Sequence, residues 1–181
     1  MAYISFQPKD FFNTVLYTGN GTAIGSGGLA VSGVGFQPDF NWTKARNNAQ
    51  MHRLTDSVRG TTKTIYSDDS SAEDTYAEGL TLFSSDGYTV GNQDGWNNSS
   101  YNYASWNWKA GTTTGIAGSP SITPDSYSFN ATSGCSIIKY TGNGVSGATL
   151  PHGLGVAPDC IIVKGTSASE AWATYFNIWL M

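Results

Sequence analysis

Charge is what this chain has least of. Only 12% of its 181 residues are charged, nine Lys and Arg against 13 Asp and Glu, for a net charge of −4. That is about half the usual share of charged residues. A basic footprint for phosphate backbones is therefore missing, and nucleic acid is not an expected partner. Histidine is down to two residues, His52 and His152, which lack metal-ligand spacing. No apolar run approaches membrane-spanning length, so membrane insertion is not expected. No early segment has the basic start and continuous apolar core of a signal peptide. The two cysteines, Cys135 and Cys160, are accordingly read as buried free thiols of a cytosolically made protein rather than as a bridge. The N-x-S/T triplets at Asn20, Asn41, Asn97, Asn98 and Asn130 follow from composition alone. No stretch holds a helical period over three turns.

Gly, Ser, Thr and Asn instead make up about two-fifths of the chain, and aromatics 13%. Such a composition suits a turn-rich β protein with an uncharged polar surface, and it is too aromatic for disorder. The chain also contains one stretch twice. Ser5-Phe6 and Tyr17–Gly21 recur as Ser128-Phe129 and Tyr140–Gly144 at a spacing of 123. Gly33, Gly35, Pro38, Asp39 and Lys44 recur as Gly153, Gly155, Pro158, Asp159 and Lys164 at a spacing of 120. Internal repetition of this kind organises everything else.

Within each copy, TGNG between extended runs predicts a tight hairpin turn. Pro38, unable to donate to a ladder, predicts a strand entrance. The strand Phe40-Asn41-Trp42-Thr43-Lys44 then alternates strictly. Strands are also expected in MHRLTDSVRG and Thr62–Tyr66. Leu80–Phe83 and Tyr88–Val90 flank an Asp86-Gly87 hairpin signal. Tyr101–Lys109 is the most strongly β stretch; its tryptophans, with Trp42, are placed inward because they bury the most area. Short strands with frequent turn signals predict an all-β antiparallel sandwich over residues 1–110. A Gly/Ser/Thr/Pro linker follows over 111–126. Residues 127–181 read as the first part of a second, incomplete repeat.

No catalytic set is legible. Asp68, Asp69, Glu73, Asp74 and Glu78 cluster in one loop, not in alternation on a strand as paired glycosidase carboxylates would. That cluster reads as a solvated acidic loop, with a Ca²⁺ site at Asp68, Asp69, Glu73 and Asp74 as the alternative. Asp56 and Arg59 of DSVRG are expected to close a structural contact at a turn. Trp96, Asn97, Asn98, Tyr101, Tyr103 and Asn107 combine aromatic faces with amides and hydroxyls, the chemistry of a glycan site; ordinary sandwich packing is the competing reading. In the second copy Ile161, Ile162 and Val163 are apolar on both faces. They require cover. The bulky apolar end Trp179-Leu180-Met181 points the same way. Ile161, Val163 and Trp179 are therefore expected assembly contacts, and the chain is expected to be a homo-oligomer or to continue beyond Met181.

YTGNG, GVGFQPDFNWTKAR, H-x-L-x-DSVRG (52–60), F-x-SDGYTVG (83–91) and YASWNWKAG (103–111), in that order, resemble a repeat of structural proteins of marine tailed bacteriophages, with concanavalin A-like jelly-roll modules. The opening MAYISFQPKDFFNT resembles the start of such proteins. The resemblance implies a jelly-roll fold and a non-enzymatic virion protein, made in the host bacterial cytoplasm. The implied roles are a tail fibre or tail-associated lectin-like module for host attachment, with capsid decoration or a jelly-roll carbohydrate-active enzyme as alternatives. Its implied partners are other virion proteins and a host surface glycan. The resemblance supplies no catalytic residues. Asn41 and Thr43 depart from the apolar residues expected there, which predicts a more solvated sheet face.

Overall fold

The computed structural model describes residues 7–177. The chain is all-β, with antiparallel sheets in a sandwich-like arrangement. Nine strands come from the first copy: β1 (Phe12–Thr18), β2 (Leu29–Ser32), β3 (Phe40–Ala45), β4 (Arg53–Asp56), β5 (Lys63–Tyr66), β6 (Asp74–Thr75), β7 (Leu80–Ser84), β8 (Gly87–Val90) and β9 (Asn102–Trp108). A single helical turn, α1 (Asp94–Asn97), precedes β9. Six strands form one sheet in the order β1-β9-β3-β4-β5-β6, and three form another, β2-β8-β7. β10 (Ser126–Asn130) pairs with β11 (Cys135–Lys139), and β12 (Cys160–Val163) with β13 (Ala173–Phe176), as two separate ribbons.

The expected strands and the β7–β8 hairpin are present, and Pro38 stands just ahead of β3. The TGNG hairpin is not. Thr18 ends β1, which pairs with β9, and the loop crosses to the other sheet. Its backbone instead seats on α1: Gly21 N–H donates to Asn97 O at 3.0 Å, and Asn20 N–H to Asn97 Oδ1 at 2.7 Å. A Cβ on Gly19 would lie 2.2 Å from Asn98 O, so this close approach needs glycine. The Gly33 and Gly35 amides donate to the Asp86 carboxylate at 3.0 and 2.7 Å. Those donors hold Asp86 below the usual carboxylate range, Gly35 most.

The apolar core lies between the two large sheets. Val31, Leu80, Tyr88, Val90 and Trp96 are buried there, with Val15, Tyr17, Leu29, Tyr76 and Phe83 packed against them. The inner face of the six-stranded sheet inverts the expected pattern. Asn41, Thr43, Ser105 and Asn107 are fully buried, while Trp42, Trp106 and Trp108 are half-buried on the opposite face. The pairing explains the inversion. Asn107 lies between Asn13 and Asn41, and Ser105 between Val15 and Thr43. Asn41 Nδ2 donates to Asn107 Oδ1 at 2.8 Å, and Thr43 Oγ1 to Asn41 Oδ1 at 2.8 Å. Asn107 Nδ2 continues to Ser105 Oγ at 3.2 Å and Asn13 O at 3.3 Å. Polar groups that satisfy one another can be buried, each bond adding about 1 kcal/mol net. The Asn41–Thr43 face is therefore the least solvated part of the sheet, not the most.

Four buried tyrosines give the fold an alkaline limit. Tyr17 stacks on Tyr103 with centroids 5.0 Å apart and meets Tyr88 edge-on at 6.4 Å. Burial raises Tyr17 and Tyr88 above the ordinary value of 10, raises Tyr66 likewise, and pushes Tyr103 up to about 12. A folded pKa above the unfolded one means stability fully present below pH ~10 and lost as pH rises through the folded value. Phenolate absorbance and near-UV circular dichroism should therefore change together between pH ~10 and about 12. Complete tyrosine ionisation with the near-UV signal intact would contradict this.

Candidate binding face

The outer face of the six-stranded sheet carries cross-strand rows of aromatic side chains. Trp108 pairs with Phe12 on one side and Phe40 on the other. Its ring centroid lies 4.8 Å from Phe12 and 5.4 Å from Phe40. In the next row Trp106 pairs with Trp42, centroids 6.1 Å apart, and Trp42 pairs with Leu54. Trp42 Nε1 donates to His52 Nδ1 at 2.9 Å, and His52 packs edge-on against that ring. Leu16, Ala104 and Lys44 form a third row, with Leu16 62% exposed. Cross-strand aromatic pairs contribute about 0.2–1 kcal/mol each, so the face helps the sheet as well as offering a surface. Lys44 spends its charge on the carbonyls of Ala45 (2.6 Å) and Asn48 (2.8 Å). The result is an aromatic and partly wetted face, bordered by Lys44 and by the Asp56–Arg59 pair beside Phe40, and suited to stacking on flat apolar groups.

The residues expected to bind glycan do not form a surface. Trp96, Asn97, Tyr103 and Asn107 are fully buried; only Asn98 and Tyr101 are partly exposed. Trp96 is a core residue and Asn107 belongs to the interior amide row. Asn97 clamps the TGNG loop, its Nδ2 donating to Asn20 Oδ1 at 3.0 Å. Tyr103 Oη donates to Asp94 O at 2.6 Å and accepts from Asn98 N–H at 2.8 Å. Their aromatic and amide chemistry is spent on packing, the competing reading of the same segment. Phe12, Phe40, Trp42, Trp106 and Trp108, the residues that do share a face, were legible as a set only in the shared alternation of β3 and β9.

The acidic loop gives each carboxylate a different donor. Asp68 accepts from His52 N–H, Asp69 from Ser71 N–H, and Asp74 from Tyr66 Oη. Glu73 meets Arg59 Nη1 at 3.0 Å. Among the described residues no three His, Cys, Asp or Glu side chains converge on a metal position, so Asp68, Asp69, Glu73 and Asp74 do not form the Ca²⁺ cage considered above. Asp56 and Arg59 do meet, at 2.5 Å, as expected of DSVRG.

Two buried groups went unread in the sequence. Asp39 is 5% exposed and accepts from Ser57 Oγ (2.8 Å), Ala110 N–H (2.9 Å) and Ser128 Oγ (3.1 Å), tying the sandwich to β10. Arg53 is 4% exposed with its guanidinium over the rings of Tyr66, Tyr76 and Trp96, at 4.8, 5.1 and 5.3 Å. Cys135 and Cys160 are both free but neither is fully buried: Cys135 is half-buried, and Cys160 is exposed because β12 has no cover. Of the expected assembly residues, Ile161 is 41% and Val163 38% exposed, and Trp179 lies outside the described residues.

No curated protein and no solved structure matches the chain. One family does, over residues 7–179, so that a single match spans both the sandwich and the repeated stretch after it. The chain thus belongs to the family described as a domain of unknown function (DUF7483).

Proposed function

We propose that the chain is a non-enzymatic virion structural module of a tailed bacteriophage. In this reading the sandwich is a concanavalin A-like jelly roll, residues 127–181 are the first part of a second module, and the aromatic face meets a glycan of the host surface. The observation that carries the reading is the outer row of Phe12, Trp108 and Phe40 beside Trp106 and Trp42, five aromatic side chains together and partly open to water. Sugar rings present flat C–H faces that stack on such rings. The ordered motif series from YTGNG to YASWNWKAG supports the virion assignment, and the separate engagement of each loop carboxylate supports a binding rather than a catalytic role.

The test combines location and binding. Immunogold labelling of intact particles is expected to mark the tail; a signal over the head would favour capsid decoration, and no signal on the particle would end both. On host envelope polysaccharide, the double variant Trp106→Ser, Trp108→Ser should bind at least tenfold more weakly than the parent. Both side chains lie outside the main core, so the near-UV signal of the tyrosine cluster should survive. Unchanged affinity would remove the aromatic face from the proposal.

A further inference from the structure

The chain has two histidines, and one of them is engaged by the aromatic face. β3 and β4 pair Trp42 with Leu54 and Thr43 with Arg53. The next residues along the two strands, Lys44 and His52, continue the outer face. His52 is therefore diagonal to Trp42, within reach of a long side chain. Trp42 Nε1 donates to His52 Nδ1 at 2.9 Å, and the two rings meet edge-on with centroids 5.8 Å apart. The backbone of His52 is fixed separately, its N–H donating to Asp68 Oδ1 at 3.0 Å. Both residues are half-buried, so solvent protons reach the imidazole.

This bond sets two properties of Trp42. It fixes the rotation of the indole, which stands at 65° to the ring of Trp106. It also occupies the indole N–H, so that a ligand on this face meets a ring and not a free donor. An imidazole differs from other acceptors in one respect: Nδ1 accepts only while it carries no proton. With both nitrogens protonated the ring is a donor at each, and Nδ1–H would point at the indole N–H. The charged groups around His52 are Asp68 on the loop after β5, Lys44 on β3 and the Asp56–Arg59 pair at the far end of β4, with Lys164 beyond the Asp68 loop. Each already has a partner: Asp68 accepts from the His52 backbone, Lys44 donates to Ala45 O and Asn48 O, Arg59 meets Asp56, and Lys164 donates to Ser70 O at 3.2 Å.

We propose that His52 is the positioning residue for Trp42 in ligand binding and makes the aromatic face sensitive to acid. The inference rests on the glycan reading given above. While Nδ1 is bare, Trp42 is locked and the Trp106–Trp42 row is a preformed stacking surface. Such a surface binds more tightly because less ordering is lost on binding. Protonation of the imidazole breaks the bond, lets the indole turn and places a cation beside the stacking ring. Binding is therefore strongest where His52 is neutral and weakens as pH falls through the range in which histidine changes charge, ~5–8. The face holds its ligand in neutral or alkaline water and releases it in acid.

The test is the affinity of the 181-residue chain for host envelope polysaccharide at the two ends of that range, with near-UV circular dichroism reporting the fold. The parent should bind about three- to tenfold more weakly at the acid end, the worth of one hydrogen bond. His52→Asn places an amide where Nδ1 stood and does not titrate, so it should keep the parent's higher affinity at both ends. His52→Leu, which has no acceptor, should bind weakly at both. His152→Asn should retain the parent's pH dependence. Without ligand, the Trp42 Nε1–H proton resonance, assigned by its loss in Trp42→Phe, should shift with acid in the parent and stay in place in His52→Asn. Equal parent affinity at both ends, or a pH dependence that survives His52→Asn, would overturn the proposal and leave the glycan face standing. No binding at either end, with the resonance moving as expected, would overturn the glycan reading and the role of His52 with it.

Discussion

Gly87→Val will remove most or all of the folding stability of the sandwich. Gly87 opens β8 immediately after the two-residue turn Ser85-Asp86, with φ at 153°. A Cβ there would lie 1.9 Å from Val31 O, 3.0 Å from Val31 C and 3.3 Å from Ser32 Cα. All three atoms are backbone, and β2 is held to β8 by the ladder that pairs Ser32 with Gly87 and Val31 with Tyr88. Relief requires β2 to leave β8, which uncovers Val31, Tyr88 and Val90 together. Overpacking and backbone strain of this kind cost about 3–5 kcal/mol, against the ~5–15 kcal/mol by which domains are usually stable. Urea titration with near-UV detection measures it. The comparison is Gly33→Ala, where φ is +87° and a Cβ would meet nothing within 4 Å. That variant carries only the left-handed penalty of about 1–2 kcal/mol. Equal effects from the two would show that the Val31 contact is not what demands glycine at 87.

Trp96→Ala is expected to cost about 4–5 kcal/mol, at the upper end for a buried aromatic. Trp96 is fully buried in the core, edge-on to Tyr76 with centroids 5.6 Å apart. It is also one wall of the box around Arg53. That guanidinium has no carboxylate partner among the described residues; Nη1 reaches the Tyr76 hydroxyl at 3.3 Å and Nε is buried unpaired. Removing the indole leaves a cavity beside a cation that was stabilised largely by π faces. Trp96→Phe keeps one of the faces and discards an indole N–H that has no partner, so it should cost less than half as much. The double variant Trp96→Ala, Arg53→Met, which removes the charge as well, should recover part of the loss. If that variant is no more stable than Trp96→Ala, the loss is simple cavity formation and the cation plays no part.

Local chemistry made much of the fold legible. The Asp86-Gly87 signal and its flanking apolar runs located β7 and β8, the alternation of 101–109 located β9, and Pro38 located the start of β3. What failed depended on partners distant in sequence. Ranking Trp106 and Trp108 as inward was a reasonable use of hydrophobicity for an isolated strand. It fails because β9 lies beside β3, where Asn107 meets Asn41 and Ser105 meets Thr43, so the polar face is self-satisfied. TGNG has the chemistry of a hairpin but serves as a seat, because Asn97 waits on the other side of it. The surface expected at Trp96–Asn107 is missing for the same reason: Trp96 and Tyr103 are surface-compatible residues until the second sheet covers them.

The position of β9 has a consequence for synthesis. The strand that joins β1 to the rest of the large sheet is the last one of the sandwich to be made, so Phe12 must wait for Trp108 before β1 gains the neighbour it has among the described residues. At ~5–20 residues per second that interval is on the order of ten seconds. During it the nascent chain holds β3–β4 without the strand that joins it to β1, with unpaired edges open to any extended segment nearby. The ribbon β12–β13 repeats the β3–β4 pairing 120 residues on, and among the described residues its outer edges are unpaired as well. A chaperone that shields the open edges of β3–β4 during synthesis would recognise β12–β13 by the same unpaired backbone.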